Sequence, residues 1–304
     1  MTGTHDRELT AEVRIPLVGF GTYLIPDEEA ASAVENSLAA GYRHIDTAEI
    51  YDNERGVGEG LRRGMRQAGL ERGDVFVTTK LWPLTQDRNK TGEETLRSLD
   101  ESLDRLGLAQ VDLYLVHATF GREQRLEQWQ ALVEAHKSGK ARAIGVSNFN
   151  AAHIDELVEA GLPVPHADQI ELHPWSQKPE LVAYLNQQGI TPIAYSSLVP
   201  LSTWRTAPGH LSGKTREMRA EGERSDAPFK KLAQKYGVTE AQFLLAWGVR
   251  NGWPVLPKST DPARMRENLD VLSFRIDDAD MDDIRRMDRG TGLAWGEVDP
   301  TTHG

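Results

Sequence analysis

One feature constrains this chain more than any other: short β-rich runs and helix-patterned stretches alternate along most of its length. Runs rich in β-branched and aromatic residues fall at 16–21, 43–46, 75–80, 111–117, 143–147, 167–171, 191–195 and 253–256, and helical patterns follow them. The clearest helix carries Leu96, Leu99, Leu103 and Leu106 on one face and Glu93, Arg97, Glu101 and Arg105 on the other. Comparable patterns cover 28–40, 53–67, 123–138, 151–160, 179–188 and 229–236. Gly41, Gly139, Gly161, Gly189 and Gly237 are placed as C-terminal stops. Strands alternating with helices imply a parallel sheet, and eight such units imply an α/β fold of the (β/α)8 TIM barrel type, a single domain spanning 304 residues. A doubly wound open sheet is the alternative.

Two stretches fall outside the eight units. Residues 198–227 are polar and punctuated by glycine and proline, far longer than the roughly 2–6 residues of a common connection. This long loop after the seventh strand is expected to close over a bound ligand, with Gly209 and Gly213 as flexible points. Residues 277–289 read as an extra helix and 291–304 as a C-terminal tail.

Composition narrows the function. Lys+Arg 35 against Asp+Glu 46 leaves a formal charge of -11, which disfavours a nucleic-acid partner and requires any anionic ligand to be held by a local basic site. With no cysteine, disulfides, thiolate catalysis and cysteine-ligated metals are excluded. The N-terminus is polar, and no apolar run approaches the roughly 20 residues of a membrane span. A cytoplasmic protein with no membrane partner, working as a monomer, is expected, so the Asn89-Lys90-Thr91 sequon carries no weight.

In a barrel the active site forms at the C-terminal ends of the strands. Asp46, Lys80, His117, Ser147, Asn148, Gln169, Glu171, Tyr195 and Lys258 all fall there, with Tyr51 just beyond. A carboxylate, a phenol, an ammonium and an imidazole on one rim suit proton delivery to a carbonyl oxygen. Bringing a phenol from its reference pKa of about 10 toward neutrality needs roughly 3–4 kcal/mol of preference for phenolate. A cation about 4 Å away contributes on the order of 4 kcal/mol at an effective dielectric near 20, so Lys80, held by Asp46, is expected to lower Tyr51. His117 then donates to the substrate oxygen. No side-chain nucleophile is evident, which points to a bound hydride donor.

The last strand offers that donor a site. Pro257, Lys258, Ser259 and Thr260 lead into a helix with Asp261 as N-cap and Pro262 at its first position, where free N–H groups favour a phosphate. Arg264, Glu267 and Asn268 share one face of that helix. Two cations there suggest the 2′-phosphate of NADPH. Gly19-Phe20-Gly21 lacks a third glycine, and Gly56-Val57-Gly58-Glu59-Gly60 lies inside a helix, so neither is a Rossmann fingerprint.

The segments Gly19-Phe20-Gly21-Thr22, His44-Ile45-Asp46-Thr47-Ala48-Glu49-Ile50-Tyr51-Asp52-Asn53-Glu54, Gly145-Val146-Ser147-Asn148-Phe149, Gln169-Ile170-Glu171-Leu172-His173-Pro174 and Pro257-Lys258-Ser259 resemble, in order and spacing, those of the aldo-keto reductases. The resemblance covers roughly residues 13–290 and implies a (β/α)8 barrel that binds NADPH or NADP+ and reduces aldehydes or ketones. It implies Tyr51 as proton donor, supported by Asp46 and Lys80, with His117 orienting a small-molecule carbonyl. It implies Ser147, Asn148 and Gln169 at the carboxamide, Tyr195 stacked on the nicotinamide, and Ser196, Ser197 and Leu198 along the pyrophosphate. Gly21, Thr22 and Tyr23 join the cofactor set, and Lys258, Ser259, Arg264, Glu267 and Asn268 hold the adenosine end.

Departures from the family pattern are Ala118-Thr119-Phe120 after His117, where an aromatic and a proline are usual, Asp168 where Asn is common, and Ser197 in place of a frequent Pro. A pocket for a bulky carbonyl would use Tyr23, Trp82, Phe120, Trp204 and Trp295. His44 and His173 read as structural, and no ligand set for a metal appears. Two other functions fit the same residues: a Schiff-base lyase using Lys80, and an NADPH-binding regulatory subunit with little turnover.

Overall fold

The computed structural model describes residues 6–119, 124–202, 214–296 and 299–302. An antiparallel hairpin, β1 (Asp6–Thr10) and β2 (Val13–Pro16), precedes the barrel. Then follow β3 (Phe20–Gly21), α1 (Asp27–Ala40), β4 (His44–Asp46), α2 (Glu54–Ala68), β5 (Phe76–Leu81), α3 (Gly92–Leu106), β6 (Val111–Val116), α4 (Arg125–Lys137), β7 (Ala141–Ser147), α5 (Ala151–Glu159), β8 (Ala167–Glu171), α6 (Pro179–Gln187) and β9 (Thr191–Tyr195). β3 to β9 form one parallel sheet in sequence order, as a curling barrel requires. Helices α7 (Arg216–Glu223), α8 (Pro228–Tyr236), α9 (Glu240–Arg250), α10 (Pro262–Leu269) and α11 (Asp278–Arg285) complete the chain.

The eighth strand expected at 253–256 is reduced to one residue. Val255 bridges Ala194 on one side and Val18 on the other, which joins the two edges of the sheet. Its N–H reaches the Leu17 carbonyl at 2.9 Å, and Gly19 N–H reaches the Val255 carbonyl at 2.8 Å. Pro254 and Pro257 flank this bridge and have no N–H to donate, so the ladder cannot lengthen into a strand. The first strand is shortened too, because Pro16 belongs to the hairpin.

Leu9, Val13 and Ile15 of the hairpin pack against Phe76, Leu113, Leu115, Ala143, Ala167 and Ile193, closing the barrel floor with apolar side chains. The hairpin lies in a stretch too polar to read as strands. Helix α9 escapes the periodicity for the opposite reason: Phe243, Leu244, Leu245, Ala246 and Trp247 are consecutive and buried, so it shows no amphipathic stripe. Helix α7 lies within the stretch read as a loop at 198–227, begun by Thr215, whose hydroxyl accepts from Met218 N–H. The five glycines named as helix stops all adopt positive φ.

The glycines of Gly56-Val57-Gly58 serve helix packing. A Cβ on Gly56 would lie 2.2 Å from the Asp27 carbonyl oxygen, and one on Gly58 would lie 2.3 Å from that of Leu106. Helix α2 therefore sits hard against α1 and the end of α3, at distances that only glycine allows.

Candidate active site

β4 and β5 pair in parallel register and end side by side, which brings Asp46 and Lys80 to one place at the top of the barrel. Lys80 Nζ donates to Asp46 Oδ1 at 2.6 Å and to the Thr47 carbonyl at 2.9 Å. The second Asp46 oxygen accepts from Gln169 Nε2 at 2.8 Å. Both charges are buried, and the ammonium is completely enclosed. A buried pair persists only with such extra hydrogen bonds, and removing one partner would leave an uncompensated charge.

Above this pair the chain makes a short turn that presents Tyr51. Lys80 Nζ lies 5.1 Å from the centre of its ring. His117, at the end of β6, meets Tyr51 edge-on at 5.6 Å between ring centres and Trp82 at 5.5 Å, and Tyr23 approaches Tyr51 at 5.1 Å. His117 Nδ1 is buried without a hydrogen-bond partner. Burial, with the Lys80 charge adding to it, holds the imidazole well below its ordinary pKa, so it is neutral at pH 7.

On sequence grounds Lys80 lowers the Tyr51 phenol; in the fold, the phenol is pushed well above its ordinary value. Burial dominates, and the Asp46 carboxylate adds to it. The reason is desolvation: the enclosed phenol has lost the water that would stabilise phenolate, while Lys80 is engaged at contact distance by Asp46. Tyr51 therefore holds its proton across the physiological range, the state a proton donor needs.

A continuous cavity of about 1120 Å³ opens over these residues and runs to the start of α10. Tyr51, His117, Asp46, Trp82 and Tyr23 line one end; Lys258, Ser259, Arg264, Glu267 and Asn268 line the other. Between them lie Gly21, Ser147, Asn148, Gln169, Tyr195, Ser196, Ser197, Leu198 and Pro257, with Trp295 from the tail. Three of the lining residues, Leu24, Asn148 and Ser196, have positive φ without being glycine, a strained backbone that clusters at binding sites. Ser147 Oγ donates to the Gln169 carbonyl at 2.7 Å, while Asn148 Nδ2 donates to the His117 carbonyl at 3.0 Å, so the middle of the site is cross-braced.

Not every expected residue reaches the cavity. Thr22 is buried behind it with its hydroxyl on the Asp46 carbonyl at 3.1 Å, and Thr260 lies exposed outside the lining. Phe120 and Trp204 lie outside the described residues, as do Gly209 and Gly213 of the long loop. The free N–H groups expected at the start of α10 are taken: Asp261 accepts from Ala263 N–H at 2.8 Å and Arg264 N–H at 3.4 Å. An anion here would rely on the side chains of Lys258, Ser259 and Arg264. Ile50, Leu24, Val199, Leu201 and Ala294 also line the cavity, and Ile50 had a sequence signal in being apolar and next to Tyr51.

Glu171 has a structural role at the end of β8: it accepts from His173 Nε2 at 2.7 Å and from the Leu293 and Ala294 N–H groups. His44 Nε2 meets Thr78 Oγ1 at 3.0 Å, and burial lowers its pKa to about 4. Among the described residues no three His, Cys, Asp or Glu side chains cluster as a metal site, and no helix is long and apolar enough to cross a membrane.

The chain resembles known proteins over nearly its full length. The aldo/keto reductase family model matches residues 17–289. A morphine 6-dehydrogenase of Pseudomonas putida is 37% identical over 282 residues, 92% of this chain and 90% of that protein. A methylglyoxal reductase of Escherichia coli is 35% identical over 280 residues, covering 92% of each. The crystal structure of a Bombyx mori aldo-keto reductase in complex with NADP superposes with a TM-score of 0.81 at 33% identity, covering 94% of each chain. The protein is an oxidoreductase that belongs to the aldo/keto reductase family.

Proposed function

We propose that this protein reduces an aldehyde or ketone to an alcohol with NADPH. The observation that carries this reading is the Tyr51 phenol beside the His117 imidazole, over the buried Lys80–Asp46 pair, on the wall of a cavity whose far end is lined by Lys258 and Arg264. When bound there, NADPH supplies hydride to the carbonyl carbon. Tyr51 gives its proton to the carbonyl oxygen, and His117 holds that oxygen by a hydrogen bond from its ring. Lys80 and Asp46 keep the phenol in place; Gln169, tied to Asp46, aligns the ring-binding floor with Ser147 and Asn148.

The cavity suits an extended dinucleotide. Ser197 presents a buried hydroxyl with no hydrogen-bond partner on its middle wall, which fits a polar ligand there. Tyr195 is the platform for the nicotinamide, and Lys258 and Arg264 take the 2′-phosphate. Trp82, Tyr23, Ile50 and Trp295 line the side where the carbonyl compound enters.

A Schiff-base lyase finds no support in the geometry, because Lys80 is fully buried, hydrogen-bonded to Asp46 and absent from the cavity wall. NADPH consumption measured against a broad panel of aldehydes and ketones tests the proposal. Turnover of several carbonyls is the expected result. Tight NADPH binding with no turnover would favour a regulatory subunit, and a borohydride-trapped adduct on Lys80 would restore the lyase.

A further inference from the structure

The C-terminal tail does more than wall the cavity: its Trp295 is hydrogen-bonded to Tyr195. Trp295 Nε1 donates to the Tyr195 hydroxyl at 2.8 Å, and that hydroxyl lies 2.6 Å from Asn148 Oδ1. An indole N–H is a donor only, so the direction of every bond downstream follows. The Tyr195 oxygen accepts from the indole and donates its own hydrogen bond to the Asn148 carbonyl oxygen. The Asn148 amide nitrogen is thereby turned toward the His117 carbonyl and Ser147 Oγ, each at 3.0 Å, and the Ser147 hydroxyl donates to the Gln169 carbonyl. One donor in the tail thus sets the orientation of a row of polar groups along the cavity floor.

The tail is fastened where this requires it. Glu171, buried at the end of β8, accepts from Leu293 N–H at 2.7 Å and Ala294 N–H at 3.0 Å. Asp299, paired with Lys178, accepts from Gly292 N–H at 2.8 Å. Gly292 sits between these carboxylates: a Cβ there would come within 2.6 Å of Glu171 Oε2 and 2.7 Å of Asp299 Oδ2. Two anchors on backbone N–H groups hold the residues just before Trp295 at the cavity edge.

The geometry points to Trp295 as a positioning residue for the cofactor: its indole N–H fixes the tilt of the Tyr195 ring, so the segment that walls the carbonyl side also presets the nicotinamide platform. This rests on the reading of Tyr195 as that platform. A residue that only lined the carbonyl pocket would alter carbonyl KM and leave cofactor affinity in the absence of substrate untouched.

Trp295→Phe keeps an aromatic ring and removes the donor; Tyr195→Phe keeps the platform and removes the acceptor. NADPH affinity is measured by titration of the full-length protein without substrate, for the wild type, both single variants and the double variant. Trp295→Phe is expected to weaken NADPH about fivefold in the wild-type background, the size of one net hydrogen bond. In the Tyr195→Phe background it should change affinity less than about twofold, because the partner is already gone. An equal effect in both backgrounds, or an unchanged NADPH affinity with only carbonyl KM raised, overturns the inference. A wild-type protein that fails to bind NADPH would instead overturn the reading of the cavity, and this inference with it.

Discussion

The two ends of the cavity are built on opposite principles. At the Tyr51 end every charge is buried and matched: Lys80 and Asp46 are almost wholly enclosed, and His117 packs between Tyr51 and Trp82. At the Arg264 end the cations lie open, with the Arg264 side chain 71% exposed and in a 3.4 Å contact with Asp261. A prebuilt constellation keeps its geometry whether or not a ligand is present, as electrostatic preorganisation requires. Exposed side chains contribute only when an anion arrives and desolvates them, so they govern affinity and choice of ligand. Chemistry and binding should therefore separate by mutation along the length of one cavity.

The largest effect is expected from Tyr51→Phe, which removes the proposed proton donor and leaves the far, dinucleotide end of the cavity intact. Its kcat should fall about 10²-fold or more. Because burial raises the phenol and lowers the imidazole, wild-type kcat for reduction should also stay level from pH 6 to 9, with no step near the ordinary histidine pKa of about 6.5. A step there, lost in His117→Gln, would mean that the imidazole is solvated and charged.

A second, smaller effect belongs to the open end. Arg264→Ala should weaken NADPH about tenfold and spare NADH, since a charge-assisted bond of roughly 1.5–3 kcal/mol is lost only with the 2′-phosphate. Equal loss with both dinucleotides would move the 2′-phosphate away from α10. Gly292→Ala probes the tail, where the new methyl must displace Glu171 or Asp299. A loss of about 1–3 kcal/mol in stability is expected, as for other overpacked sites, together with a raised carbonyl KM and weakened NADPH binding.

The smallest effect concerns Asp168, the residue that departs from the family's usual Asn. It is fully buried on β8, and neither carboxyl oxygen makes a hydrogen bond of normal geometry. Burial pushes this carboxyl well above its ordinary value, which the Phe149 N–H and Lys178 offset only in part. The folded chain therefore keeps a proton that the unfolded chain releases above pH of about 4. The Asp168 contribution to stability should be full below that pH and be lost as pH rises toward the folded value; Asp168→Asn should remove this component of the pH dependence. Thermal melts of both proteins across pH check this, and parallel curves would show that Asp168 is ionised in the fold.

The grouping of Asp46, Tyr51, Lys80 and His117 was legible because strand-end position and residue chemistry agree at Asp46, Lys80 and His117, with Tyr51 a few residues beyond Asp46. The barrel was legible from periodicity and from glycines whose positive φ ends helices. Other features left no local signal. Val255 closes the barrel between two prolines, and α9 is apolar in consecutive positions. The bond between Trp295 and Tyr195 joins residues 100 positions apart, which no pattern in a single chain reports. The field around Tyr51 was misjudged for a related reason: the Lys80–Asp46 pair was visible, but the burial that raises the phenol was not.

The most direct test of the separation between chemistry and binding measures NADPH affinity and kcat at saturating NADPH on the same preparations of wild type, Tyr51→Phe and Arg264→Ala. Crossed effects are expected: Tyr51→Phe binds NADPH within about threefold of wild type while losing at least about 10² in kcat, and Arg264→Ala loses about tenfold in affinity while keeping kcat. Retention by Tyr51→Phe of more than roughly a tenth of wild-type kcat, or loss of kcat in saturated Arg264→Ala, would contradict the account.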